Sequence, residues 1–158
     1  MEYKQTIGKT DRTIFARILP DSDMLLSIQE ICRKNEIEMA YISTCIGSLK
    51  KITFVYALTD LNRFYKIKYS KPVEMAGPIE FLGAQGLVAK DDNGEYQTHM
   101  HAHFSDETMK VYGGHLLNKG NIVLATIDIV INEITEVNVK RNYHEASGFY
   151  FFEPADEE

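Results

Sequence analysis

After one helical segment near its start, the sequence offers strand-forming runs and nothing else, and that order excludes most fold classes. Thr13-Ile14-Phe15-Ala16-Arg17-Ile18-Leu19 reads as an opening strand, stopped by Pro20. Asp21-Ser22-Asp23 then supplies N-cap oxygens and negative charge at a helix start. Leu25, Ile28 and Cys32 recur at helical spacing, with Glu30, Arg33 and Lys34 for the wet side, so a helix is expected from about Met24 to Asn35. Strands are expected at Met39–Ile46, Ile52–Leu58, Arg63–Tyr69 and Ile79–Val88, then at Tyr96–Phe104 beyond the turn signal Asp91-Asp92-Asn93-Gly94. Val111–Leu117 and the long apolar run Ile122–Ile134, expected to cross the centre of the sheet, continue the pattern, and Glu136–Arg141 alternates well enough for one more strand. The aromatic tail Gly148-Phe149-Tyr150-Phe151-Phe152 is expected to dock on the body. These runs predict a single α+β domain, with a mostly antiparallel sheet and one main helix near the N-terminus. At 158 residues and 44% hydrophobic content, the chain has material for one substantial core. The domain is expected over residues 1–154, with 155–158 as an acidic solvated tail.

The chemistry concentrates in one window. His99, His101 and His103 alternate in Thr98-His99-Met100-His101-Ala102-His103-Phe104, and His115 follows in Gly113-Gly114-His115-Leu116. On a strand, a period of two puts the first three imidazoles on one face. Neutral imidazole is a good ligand for zinc, nickel, copper or iron. Three nitrogen ligands leave a fourth position open for water, a carboxylate or a substrate, the pattern of catalytic rather than structural zinc. Gly113 and Gly114 allow close approach of the backbone or a positive φ, clearing room for an ion. The competing reading makes these histidines a polar strand face that meets solvent or a neighbouring subunit. His144, in a polar loop, is given no role.

Other features set bounds. The net charge of −6 repels nucleic acid and anionic membrane on average, so either partner would need a local basic patch. Lys50-Lys51, Lys66, Lys68, Lys71 and Lys140-Arg141 are the residues available for one, although scattered lysines are usually a solvated face. No run reaches the roughly twenty apolar residues of a membrane span, and the first residues lack a signal-peptide layout. Cys32 and Cys45, with no CxxC motif, read as reduced buried thiols of a cytoplasmic protein, Cys32 on the helix. GxGxxG and GxxxxGK[ST] are absent, so nucleotide binding at a helix N-terminus has no support.

The block from Gly77 to Ile134 resembles the PPC domain (DUF296) of plants and prokaryotes. The matching pieces are Glu80 opening a strand, His99-Met100-His101 followed by Ala102, Ser105-Asp106, and Val111-Tyr112-Gly113-Gly114-His115-Leu116. Arg17-Ile18-Leu19-Pro20 and Ile46-Gly47-Ser48-Leu49 extend the likeness over nearly the whole chain. The resemblance implies a compact α+β homotrimer and, in the prokaryotic type, a metal-binding histidine triad. Carried over, that triad is His99, His101 and His115, with zinc the first candidate among divalent metals. His103 stands where the family usually has a small residue, and a role as fourth ligand, ligand support or bystander stays open for it. Plant members join the domain to an AT-hook, but this chain has no Arg-Gly-Arg-Pro, which undercuts a direct DNA-binding role.

Two function classes follow. The first is a trimeric, metal-containing regulatory or DNA-associated binding module. The second, by fold analogy with acetolactate decarboxylase, is a metal-dependent enzyme acting on a small carbonyl compound or acid. In that case Glu80 would be the catalytic carboxylate, shuttling a proton near the metal. A solvated Glu80, or one paired with Arg17, is the plainer alternative. A small-molecule ligand at the metal fits either class.

Overall fold

The computed structural model describes residues 3–91 and 93–154. The expected tail at 155–158 lies outside the described residues, as does Asp92 of the turn signal. β1 (Lys9–Ile18) leads into α1 (Met24–Lys34), and β2 (Met39–Val55) follows. Next come the short β3 (Ala57–Thr59) and β4 (Ile67–Tyr69), then the long β5 (Val73–Lys90), β6 (Tyr96–Ser105) and β7 (Val111–Leu116). β8 (Ile122–Thr135), β9 (Val139–His144) and β10 (Phe149–Pro154) complete the order.

The helix forms where its cap predicts. Asp23 is the N-cap, and its Oδ1 accepts from the amides of Leu25 and Leu26. Its other oxygen accepts from Gly120 N at 2.7 Å, so one carboxylate caps the helix and ties down the turn before β8. Asn121, with no exposed surface, completes the tie by accepting from Thr53 N and donating to the Leu117 carbonyl. Met24, Leu25, Ile28, Gln29 and Cys32 form the buried stripe of α1. The amide of Gln29 donates to Thr98 Oγ1 on β6 and so avoids the cost of an unmatched polar group in the core.

The main sheet runs β1-β8-β2-β5-β6-β7, with antiparallel neighbours throughout. It curls until β7 meets β2 again, Phe54 opposite Leu116 and Val55 opposite His115. The enclosed face carries the core: Leu49, Ile52, Phe54, Ile79, Phe81, Met100, Phe104, Leu116, Ile127 and Ile129 are buried there. Phe54 and Phe104 meet edge to face, 5.1 Å between ring centres. At a hydrophobic gain of roughly 1.5–3 kcal/mol per buried large side chain, this set supplies the main drive for closure.

The element order matches the α+β expectation, with four adjustments. The runs Met39–Ile46 and Ile52–Leu58 belong to one strand up to Val55, because β2 absorbs the intervening residues as bulges against β5 and β8. Only Ile67–Tyr69 of the Arg63–Tyr69 run is strand, since Lys66 takes a left-handed φ of 58° at the end of a tight turn. Glu136 does the same at 58°, so the strand expected there begins three residues later, at Val139. β8 lies between β1 and β2, and the middle of the sheet is the β2–β5 pair. The aromatic tail does dock: it forms β10, which pairs with β9 as a separate two-stranded layer.

Candidate metal centre

β6 and β7 form an antiparallel pair in which His101 stands directly opposite His115. Side chains so paired have Cβ atoms about 4.5–5.5 Å apart, and a residue two along the same strand lies on the same face. His99 is that residue. The register alone therefore gathers three imidazoles, on the sheet face turned away from the core.

Their ring nitrogens converge. His101 Nε2 lies 3.1 Å from His99 Nε2 and 3.3 Å from His115 Nδ1. The three ligand atoms fall within 4.8 Å of one another. Zinc held by imidazole at about 2.0–2.1 Å in a tetrahedron separates neighbouring nitrogens by about 3.3–3.4 Å. The donor set thus fits a divalent ion, which His99, His101 and His115 would hold while leaving further coordination positions free. Such an ion supplies Lewis acidity toward a bound oxygen.

Burial and nearby positive groups favour the neutral form of His99 and His115. Burial pushes the His115 imidazole down to about pKa 4, with further lowering from His99, His101 and the Arg141 guanidinium. His99 is lowered by the same agents, burial first, then His101 and Arg141. A neutral imidazole has a lone pair to offer a metal, so these shifts favour coordination at ordinary pH.

The remaining sequence candidates sit elsewhere. The His103 ring lies over Gly83, where an added Cβ would come within 2.8 Å of its Cε1, so glycine there makes room for the ring. Glu80 pairs in register with Ser105, four residues along the strand from His101, or roughly 13 Å at strand rise. It is exposed and joins no described cluster with the histidines. Arg17, weighed as its partner, holds Asp128 through two hydrogen bonds instead. Gly114 serves close approach, as expected, but toward the core: a Cβ there would meet Phe54 Cδ2 and Val55 O at 2.7 Å. Neither Gly113 nor Gly114 has a positive φ. His144 Nδ1 lies 2.9 Å from Ser147 Oγ, in the β9–β10 turn. Of the basic residues, Lys50 contacts Asp21, Lys51 pairs with Glu74 at 2.9 Å and Lys68 with Asp60 at 3.4 Å.

Sequence reasoning missed the cover over the histidines. Tyr69 lies 5.4 Å from the His115 ring, and Phe152 stacks toward His99 at 6.3 Å. Tyr69, with Tyr65, Ile67, Arg141 and Phe149–Phe151, walls a cavity of about 330 Å³ that includes His99 and His115. A more open depression of about 600 Å³, lined by Tyr41, Ser43, Gln85 and Leu87, reaches His99 and His101 from the other side. The aromatic density of residues 143–152 was the available signal. Nothing in linear spacing ties that segment to His99.

Known proteins share this architecture. A plant- and prokaryote-conserved (PPC) protein of Pyrococcus horikoshii superposes with a TM-score of 0.79 at 25% identity, covering 98% of this chain and 100% of that one. The metal-containing protein AF0104 of Archaeoglobus fulgidus gives 0.78 at 20% identity, over 96% and 99%. A Bacteroides thetaiotaomicron protein provisionally described as DNA-binding gives 0.72 at 15% identity, over 94% and 98%. Among curated sequences, the bifunctional protein GlmU of Synechococcus sp. strain JA-3-3Ab is 23% identical over 133 residues, 84% of this chain and 19% of that protein. The chain spans less than a fifth of the length of the curated relatives it matches. The fold agrees with a match over residues 5–135 to the Plants and Prokaryotes Conserved (PCC) domain, and the chain belongs to that family.

Proposed function

We propose that the chain is a metal-holding binding module in which His99, His101 and His115 take one divalent ion, zinc first, within a homotrimer of regulatory role. The observation that carries this reading is the convergence of three imidazole nitrogens, at 3.1 Å along β6 and 3.3 Å across the β6–β7 pair. The metal-containing description of the Archaeoglobus relative agrees with it. Trimer formation draws support from the outer sheet face, where Phe15, Ile46 and Leu82 leave apolar surface exposed on three strands. Association with DNA is the less direct part of the reading. It leans on the description of the Bacteroides relative, while Lys51 and Lys68 of the candidate basic patch are engaged by carboxylates.

Elemental analysis of protein purified without a histidine tag tests the metal. The expected result is about one zinc-class ion per chain in the wild type and a loss of most of it in His101→Ala, since that ring bridges the other two. A wild type that takes up no zinc, nickel, iron or manganese, and so matches the variant, contradicts the reading.

A further inference from the structure

Of the residues walling the smaller cavity, Arg141 alone carries a fixed positive charge. Its Nη1 donates to Gln97 Oε1 at 2.8 Å, and Gln97 Nε2 donates in turn to Asp91 Oδ2 at 3.0 Å. Asp91 is itself anchored, its Oδ1 accepting from the amides of Asn93 and Glu95. The guanidinium also lies against two rings, 4.8 Å from the centre of Tyr150 and 5.9 Å from that of Phe152. It is therefore oriented from three sides.

What it lacks is an anion in direct contact, since Asp91 acts on it only from beyond Gln97. Arg12, Arg17 and Arg33 each hold a carboxylate at 2.5–2.6 Å. Among the described residues, Arg141 has no such pair, and the Gln97 amide is its one hydrogen-bond acceptor. A guanidinium has five N–H donors in a planar fork. Partial burial without a directly paired counter-charge is costly, more so when the neighbouring cluster is built to hold a second cation. An anion between the two relieves both. The other walls, Tyr65, Ile67, Tyr69 and Phe149, are apolar or aromatic, and about 330 Å³ is at the small end of ligand pockets.

We propose that Arg141 is the carboxylate-binding half of a ligand pocket whose other half is the ion on His99, His101 and His115. The ligand is then a small carboxylate with an apolar or aromatic body. This rests on the metal reading above and adds the class of molecule that the module recognises. Gln97 and Asp91 are positioning residues in it.

The test uses cobalt(II) as a visible metal and 2-hydroxy-2-phenylacetate as the probe, with its neutral methyl ester as control. Cobalt is first titrated into the wild type, Arg141→Gln and Arg141→Lys, followed by its absorption bands. Each loaded protein is then titrated with acid and ester by calorimetry. The expected results are cobalt binding in both variants no weaker than in wild type, and acid bound about 10- to 100-fold more tightly than ester by the wild type. That preference is lost in Arg141→Gln and partly kept in Arg141→Lys. Equal binding of acid and ester by the wild type overturns the proposal without any variant, as does an unchanged preference in Arg141→Gln. If cobalt does not bind, the metal reading fails separately, and the acid is titrated onto the metal-free protein. Arg141-dependent binding there still supports the anion site, and no binding overturns it.

Discussion

His101 is the residue on which the site turns, because its Nε2 lies within 3.3 Å of both other ligand atoms. The proton affinities around it make a testable signature. An unfolded chain protonates its imidazoles near pH 6.5, whereas burial holds His115 neutral in the fold down to about pH 4. The unfolded state thus binds more protons in that window, and the metal-free protein is expected to lose stability as pH falls through it. Urea midpoints from about pH 7 to about pH 4.5 should fall less steeply in His115→Asn than in wild type; parallel slopes would contradict this. The two thiols give a second signature. Burial pushes Cys32 up to about 11 and Cys45 up to about 12, so thiolate is scarce at neutral pH. Both should resist a thiol reagent in the native protein and react fully in denaturant.

At the scale of elements, the decisive unit is β6 paired with β7, and half of it was legible from sequence. Alternation of His99 and His101 with buried Thr98, Met100 and Ala102 announces a strand with its histidines on the outer side. That His115 comes to the same place depends on which residue pairs with His101, a register that the turn at Asp106–Lys110 sets through the Asp106 carboxylate. Spacing alone does not specify it; the family resemblance did. The positions of β9 and β10 were not legible. Their approach to His99 runs through Arg141, Gln97 and Phe152, a long-range contact with no periodic trace. The helix was legible because Asp23 acts locally, and its second role toward Gly120 was not, because that contact spans ninety-seven residues. Asp23→Ala should lower stability by about 1–2 kcal/mol from the lost cap, and more where the Gly120 amide goes unmatched. Chemical denaturation reads this directly; a change below about 0.5 kcal/mol would show the carboxylate to be dispensable.

At the scale of the molecule, one face of the curled sheet is consumed by the core, and the other carries both the histidines and the exposed Phe15, Ile46 and Leu82. No described helix is long and apolar enough to cross a membrane. If that outer face is where copies meet, sedimentation should give a particle three times the 18.1 kDa chain, and Leu82→Asp should dissociate it. A particle of single-chain mass at micromolar concentration would remove the trimer. Filter binding of duplex DNA should be weak and should vanish between low and physiological salt, as expected of an acidic protein in which Lys50, Lys51 and Lys68 face carboxylates. The central claim, however, is the metal. X-ray absorption at the zinc edge of the loaded protein measures its ligands directly. The account predicts three imidazole nitrogens at about 2.0–2.1 Å with at least one further light ligand, and loss of the imidazole signal in His101→Ala. A shell of sulfur near 2.3 Å, or of oxygens without imidazole, would contradict it.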